Sequence, residues 1–280
     1  MNFSALKNTL EGDLYTDDTT RRLYATDASA YRELPVAVAV PKSEADLVKL
    51  IQFARANKTS LIPRTAGTSL AGQVVGNGIV VDVSRHFNQI IEINIQEQWA
   101  VVQPGIVRDD LNHHLKQYGY FFAPETSTAN RAMIGGMIGN NSCGSNSVVY
   151  GSTREHLLEL NVLLADGSTA WFGALTEDQF LQRTHGEKFE NKLYRHIHEV
   201  LGNETNVRTI EKEFPKPSIE RRNTGYALDM LARMKPFNKH GGDFNFCSLI
   251  AGSEGTLAFV TSAKIKLTPL APPHKKLVCI

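Results

Sequence analysis

A run of small residues follows a short apolar stretch, and its composition suits the binding of a phosphate group. The apolar stretch 59–62 predicts a strand, and the run of small residues continues to Gln73. A loop with few bulky side chains can direct several backbone N–H groups at one anion. The residues of this loop that we predict to contact a ligand are Pro63, Arg64, Thr65, Ala66, Gly67, Thr68, Ser69, Gly72 and Gln73.

Two familiar phosphate-binding motifs do not fit this loop. Gly67 and Gly72 have the glycine spacing of a Walker A loop, but Gln73 and Val74 stand where that motif requires Lys and then Ser or Thr. The loop also lacks the Gly-x-Gly-x-x-Gly order of a dinucleotide-binding turn. The sequence therefore indicates a diphosphate that is held by a different fold.

Two later segments have the same small and polar character, and we call them the second and third segments. Small side chains there would let the backbone approach a bound cofactor closely, and Asn140, Asn141 and Ser142 could supply hydrogen bonds. The candidate ligand residues of the second segment are Pro124, Thr126, Ser127, Gly135, Gly136, Gly139, Asn140, Asn141, Ser142 and Gly144. Those of the third segment are Gly252, Glu254, Gly255 and Val260.

In this order, the three segments resemble the FAD-binding domain of the vanillyl-alcohol-oxidase, or PCMH, superfamily. Within it, the sequence is similar to the FAD-linked dehydrogenases of D-2-hydroxy acids, the group of D-lactate dehydrogenase, glycolate oxidase and D-2-hydroxyglutarate dehydrogenase. The resemblance covers roughly residues 35–269 and includes a strand-like run followed by Asp166 and Gly167. It implies an α+β fold of PCMH type, made of two α+β lobes with FAD between them.

The resemblance also implies a role for each segment. The first loop would hold the FAD pyrophosphate, the second segment would approach the flavin ring and ribityl chain, and the third would lie beside the adenine. Some members attach the flavin through a histidine in the first loop. Thr68 occupies the matching position, so we expect noncovalent FAD. The implied reaction is oxidation of a small hydroxy acid by hydride transfer to flavin N5, with electrons passed to an unidentified acceptor.

Candidate substrate residues are few. Arg222 and Tyr226 belong to a segment that resembles an active-site loop of the family, although a capped helix start at Asn223 or Thr224 explains the same residues equally well. Residues 240–245 are similar to a His-x-Gly-Asp-x-Asn motif of the family. That motif follows the third segment in the family, whereas these residues precede it, so we expect a surface loop and no metal site. The catalytic base would lie in a missing C-terminal part.

Two alternatives remain open from the sequence. One is another flavoenzyme on the same cofactor fold, such as a UDP-N-acetylenolpyruvylglucosamine reductase or a sugar oxidase. Thr68 and the Gly-Ser-Glu-Gly-Thr-Leu string that starts at Gly252 favour the hydroxy-acid group instead. The other alternative is a flavin-binding module that performs no catalysis without a partner domain.

Composition argues against several classes of partner. A formal net charge of +1 gives no electrostatic attraction to nucleic acid or to an anionic membrane surface. No apolar run approaches the ~18 residues that a membrane span needs. Cys143, Cys247 and Cys279 are too scattered for a disulfide framework, which favours reduced thiols in a cytoplasmic protein.

The apolar patterns predict the elements that must position these segments. A β-α-β-loop-β order predicts a small lobe over residues 35–87, with residues 1–34 as an N-terminal extension. A large lobe over 88–270 is predicted to contain strands, a helix that ends at Gly119, a hairpin and a final half-buried strand. Residues 271–280 resemble the start of a missing substrate domain, so we expect the chain to be a fragment.

Overall fold

A computed structural model describes residues 1–219 and 225–271, and most strands in this part of the chain form two sheets. The strands are β1 (Asp13–Tyr15), β2 (Ala37–Val40), β3 (Leu61–Arg64), β4 (Ile79–Asp82), β5 (Ile90–Asn94), β6 (Trp99–Val102), β7 (Tyr120–Phe121), β8 (Leu157–Leu163), β9 (Thr169–Phe172), β10 (Phe259–Lys266) and β11 (Thr268–Pro269). The helices are α1 (Phe3–Lys7), α2 (Asp18–Leu23), α3 (Glu44–Ala56), α4 (Arg108–Leu115), α5 (Ile134–Asn140), α6 (Ser147–Tyr150), α7 (Glu177–Arg183), α8 (Phe189–Leu201), α9 (Glu204–Glu213), α10 (Leu228–Ala232) and α11 (Cys247–Ile250).

The small lobe is a four-stranded sheet in the order β1-β2-β4-β3, covered by α3. Strands β2 and β3 both run parallel to β4. Parallel neighbours need long connections, which are supplied here by α3 between β2 and β3 and by the loop 65–78 between β3 and β4. Helix α3 begins at Ser43, whose hydroxyl accepts a hydrogen bond from Asp46 N at 3.3 Å. The predicted order of elements is confirmed. Strand β3 begins and ends two residues later than the predicted stretch 59–62, so Pro63 and Arg64 belong to the strand and not to the loop.

The first 34 residues, predicted as an extension, contribute to the small lobe. Strand β1 pairs with β2 in antiparallel register, and Leu6 and Leu14 are buried in the same core as the inner face of α3. The carboxylate of Asp46, which has no exposed surface, accepts hydrogen bonds from the backbone N–H groups of Glu11 and Gly12, both at 2.9 Å. Burial of that carboxylate therefore depends on the residues that precede β2.

The large lobe is built on an antiparallel sheet in the order β5-β6-β10-β8-β9. Strand β10 occupies its centre, although it is the last of these strands in the chain. As predicted, apolar side chains of β10 are buried, and an irregularity between Val260 and Ser262 shifts its register against β8. Aromatic side chains fill the space between the sheet and the helices, with Phe180 and Phe244 in contact at a ring distance of 4.5 Å. The two lobes meet where Leu163 and Phe259 enter the small-lobe core.

Two local predictions concern residues that precede the third segment. Helix α10 has Ala227 at its N-cap. Asn223 and Thr224, the predicted cap residues, lie outside the described part. The segment 240–245 is only partly a surface loop. His240 and Asp243 are exposed, but Phe244 is fully buried because its backbone pairs with Leu175 in the large-lobe core.

We predict that Asp46→Asn lowers the free energy of unfolding by about 2 kcal/mol at pH 7, because an amide accepts these hydrogen bonds less strongly than a carboxylate. Burial acts to raise the pKa of Asp46, but hydrogen bonds from the N–H groups of Lys42, Glu11 and Gly12 outweigh it, so the pKa lies below the ordinary value of an aspartate. The carboxylate's contribution is therefore present above the pKa of the unfolded chain and is lost as the pH falls through the folded-state pKa.

Urea unfolding of both proteins at pH 7 and at pH 3 measures this contribution. The difference in the free energy of unfolding between the wild type and Asp46→Asn is expected to be smaller at pH 3 than at pH 7. Asp178→Asn, an exposed carboxylate in the first turn of α7, is the matched control and is expected to unfold like the wild type. Equal stabilities of Asp46→Asn and the wild type at pH 7 would contradict the prediction.

Candidate cofactor site between the two lobes

A cavity of about 830 Å³ opens between the two lobes, and most of the predicted ligand residues line it. Its wall combines the loop after β3, the region around α5 and the turn that leads into β10. The predicted residues in the wall are Pro63, Arg64, Thr65, Ala66, Gly67, Thr68, Ser69, Gln73, Thr126, Ser127, Gly135, Gly136, Gly139, Asn140, Ser142, Glu254, Gly255 and Val260. Three segments that are far apart in the sequence therefore face one cavity.

Glycines allow these segments to approach each other at backbone distance. A Cβ at Gly136 in α5 would lie 2.7 Å from Thr65 Oγ1 of the small lobe. A Cβ at Gly255 would lie 3.1 Å from a side-chain carbon of Pro63, and Gly255 also has a φ of +74°, which favours glycine. The absence of side chains at these positions sets the separation of the lobes along the cavity.

Arg64 supports the first loop. Its Nη1 donates to Thr26 O at 2.9 Å, and its guanidinium lies 5.2 Å from the ring centre of Tyr24. The Tyr24 hydroxyl in turn donates to Asp82 Oδ2 at 2.6 Å. Gly67 has a φ of +64°, and a Cβ there would lie 2.5 Å from Arg64 Nη2. The loop can therefore turn at Gly67 only because no side chain occupies the place of the guanidinium.

A strap from the N-terminal region, residues 23–28, also forms part of the wall, and sequence reasoning missed it. Ser69 Oγ donates a short hydrogen bond to Asp27 Oδ2 and so ties this strap to the first loop. Burial acts to raise the pKa of Asp27, but hydrogen bonds from Ser29 and Ser69 outweigh it, so the pKa lies below its usual value and the group is a carboxylate at neutral pH. No local pattern marks Asp27, because its partner is 42 residues away.

Five predicted residues lie outside the wall, and their role as ligand residues stays a prediction. Asn141, in a left-handed conformation, accepts hydrogen bonds on Oδ1 from Ser152 Oγ and Arg154 N, both at 2.9 Å. The buried Arg154 donates to Ser248 O at 2.9 Å and Ala251 O at 2.6 Å, which holds the third segment beside the second. The five residues are Gly72, Pro124, Asn141, Gly144 and Gly252.

The two predicted substrate residues stay predictions. Arg222 lies outside the described residues. Tyr226 is 44% exposed, and its hydroxyl lies 2.6 Å from Thr256 Oγ1 in the third segment. It therefore lies near the cavity-forming turn without forming part of the wall.

Comparison with known proteins agrees with this geometry. Residues 35–173 match the family of FAD binding domains. The chain is 39% identical over 278 residues to a D-2-hydroxyglutarate dehydrogenase of Pseudomonas putida, a match that covers 98% of this chain. It is 33% identical over 262 residues to the glycolate oxidase subunit GlcD of Bacillus subtilis, which covers 93% of this chain and 43% of that protein. The chain belongs to the FAD-linked D-2-hydroxy-acid dehydrogenase family.

Solved structures share the fold of this family member at low sequence identity. An alkyldihydroxyacetonephosphate synthase matches with a TM-score of 0.63 at 18% identity, over 95% of this chain and 40% of that one. A 6-hydroxy-D-nicotine oxidase from Arthrobacter nicotinovorans matches with a TM-score of 0.59 at 15% identity, over 93% of this chain and 43% of that one. The predicted α+β fold with two lobes is confirmed. The chain spans about a quarter, 26%, of the length of the Pseudomonas putida relative.

Residues 1–219 and 225–271 contain neither a metal-binding cluster nor a membrane-spanning helix. No group of three or more His, Cys, Asp and Glu side chains is arranged to hold a metal ion there. No helix in the same ranges is both long enough and apolar enough to cross a bilayer.

The cavity wall fits FAD, the cofactor of this family. Gln73 Nε2 donates to Asn140 Oδ1 and to Glu254 Oε1, both at 3.2 Å, and so links the first loop to both segments of the large lobe. The other end of the amide, Oε1, is buried and accepts no hydrogen bond from the described residues. A buried acceptor without a donor is costly, and FAD carries hydroxyl and N–H donors on its ribityl chain and ring systems.

We predict that Gly67→Ala weakens FAD binding by about tenfold or more, because the new Cβ needs the position of the Arg64 guanidinium and displaces the loop. Gly119→Ala is the matched control, since Gly119 also has a positive φ, +78°, but no atom lies within 4 Å of its Cβ position. It is expected to lose about 1 kcal/mol of stability and no FAD affinity. Titration of each apoprotein variant with FAD measures its affinity. Equal FAD affinities of Gly67→Ala and Gly119→Ala would contradict the prediction.

Proposed function

We propose that this chain is the FAD-binding part of a flavoenzyme that oxidises a D-2-hydroxy acid, and that it holds FAD without a covalent bond. The convergence of all three small-residue segments on one interlobe cavity carries this proposal. Thr68 supports the noncovalent mode, because it lines the cavity where some relatives of the superfamily have a tethering histidine. A cytoplasmic location is part of the same proposal.

A D-2-hydroxyglutarate-type acid is the substrate that the relatives favour. The chain is 39% identical to proteins named D-2-hydroxyglutarate dehydrogenase from Pseudomonas putida and Escherichia coli, against 33% for the glycolate oxidase subunit. The chain covers 26% of the Pseudomonas putida and Escherichia coli relatives and 43% of the glycolate oxidase subunit. The groups that choose among hydroxy acids are therefore proposed to lie in the remaining part of a longer protein.

The proposed division of labour follows from the groups in the wall. FAD, when bound, supplies the hydride acceptor for the oxidation. The residues of this chain hold and orient it, and orientation alone can be worth ~7–11 kcal/mol of a barrier. The described wall contains two carboxylates, Asp27 and Glu254, and no histidine. Asp27 already accepts from Ser69, and Glu254 accepts from Gln73. We infer that the catalytic base and the substrate's carboxylate-binding groups come from elsewhere.

Acid precipitation tests the noncovalent mode. A threonine hydroxyl cannot form the link that a histidine nitrogen makes to flavin, so denatured protein is expected to release all of its FAD into the supernatant. Absorbance of the supernatant and of the redissolved pellet near the flavin bands measures the partition. Flavin that stays with the pellet would show a covalent attachment and contradict Thr68 as the deciding residue.

Anaerobic stopped-flow mixing tests the division of labour. The 280-residue chain loaded with FAD is expected to show slow or absent flavin bleaching with D-2-hydroxyglutarate, D-lactate or glycolate, because its wall lacks an uncommitted base. Dithionite is the control, since it must bleach the same flavin fully. Fast and saturable bleaching by any of the three acids would place the complete active site within this chain.

A further inference from the structure

Arg131 lies in the cavity wall, in the turn between β7 and α5, and no sequence motif identified it as a ligand residue. Its side chain is exposed, and its guanidinium has no hydrogen bond, ion pair or aromatic contact with the residues that the structure describes. An exposed arginine of this kind is usually solvated. Here, however, it faces a cavity that belongs to a cofactor with two phosphate groups.

The other arginines near the cavity have protein partners. Arg64, the second cation of the described wall, donates to Thr26 O and stacks on Tyr24. Arg108, at the start of α4, donates to Pro124 O at 3.1 Å and to Asp109 Oδ1 at 2.9 Å. Arg131 is therefore the wall cation whose donors remain available for an anion.

The charges around the first loop favour such a cation. The guanidinium of Arg64 interacts with two carboxylates, those of Asp82 and Asp27. Two negative charges against one positive charge leave this region acidic before any ligand arrives. A diphosphate that is held by the backbone of the loop adds further negative charge, and backbone N–H groups alone do not neutralise it.

The turn that carries Arg131 is held in place and presents hydroxyl groups to the same cavity. Arg131 N donates to Thr128 O at 2.8 Å, and Ala132 O accepts from Arg108 N at 2.9 Å, which fixes the turn against α4. Thr126, Ser127 and Thr128 line the wall beside it. A guanidinium with neighbouring hydroxyls is a donor set that suits phosphate oxygens, since a guanidinium can bind two of them at once.

We propose that Arg131 binds the diphosphate of FAD, so that the diphosphate is held by the first loop from the small lobe and by Arg131 from the large lobe. This inference rests on the proposed function, because it requires FAD in the cavity. It assigns to the second segment a contact with the diphosphate in addition to the predicted contacts with the flavin.

Titration of apoprotein with FAD, ADP and riboflavin separates the diphosphate from the rest of the cofactor. Arg131→Gln is expected to weaken FAD and ADP by about tenfold or more and to leave riboflavin affinity unchanged. The wild type's FAD affinity should fall with added salt more steeply than that of the variant, since one charge pair is lost. Arg131→Lys should keep part of the ADP affinity, because it retains the charge without the two-pronged geometry.

Arg208→Gln is the matched control, because Arg208 lies on α9 in an exposed pair with Glu204. It should bind all three ligands like the wild type. Unchanged FAD and ADP affinities in Arg131→Gln would overturn the inference. Arg131 would then be available to bind another anion, such as a substrate carboxylate. An equal loss for riboflavin would also overturn it, since that indicates a damaged wall. Failure of the wild type to bind FAD would instead overturn the proposed function itself.

Discussion

The structure depends on the backbone-distance approach of three segments that are widely separated in the sequence. Thr65 can reach α5 because Gly136 has no side chain, and Pro63 can reach the turn before β10 because Gly255 has none. A Cβ at Gly136 would lie 2.7 Å from Thr65 Oγ1, and one at Gly255 would lie 3.1 Å from a carbon of Pro63, so a larger residue at either glycine requires the neighbouring side chain to move. The two glycines therefore determine how closely the segments around the cavity pack against each other, and in this way they set the shape of the cavity. Room for a bound cofactor is a second effect of the same glycines.

Hydrogen bonds from polar side chains connect the parts of the wall that are not held together by the glycine contacts. Arg64 joins the first loop to the N-terminal strap, and Arg154 joins the second segment to the third. Both guanidiniums donate to backbone carbonyls, so each connection depends on the main-chain path of its partner segment. The first 34 residues consequently contribute both to the cavity wall, through Leu23 and residues 26–28, and to the small-lobe core, through Leu6 and Leu14.

Local patterns in the sequence predicted most of the longer strands, the helix end at Gly119 and the three small-residue segments, because each depends on neighbours in the chain. The same reasoning missed Asp27, which is bound to Ser69, and Arg131, whose proposed role depends on which other arginines are already paired. It also did not predict that the Asn141 side chain caps the backbone at Arg154, and a ligand contact of Asn141 stays a prediction. Long-range partners of single polar side chains leave no periodic signal, which is why these residues required the structure.

The central position of β10 has a consequence for biosynthesis. Strands β6 and β8 each leave an edge that only β10 covers, and β10 is made after both of them. While a ribosome extends the chain, those edges and the apolar face between them have no partner within the sheet. Non-local pairing of this kind folds slowly, and open strand edges favour association between chains. Nascent chains of this protein are therefore expected to need chaperone protection until β10 has been synthesised.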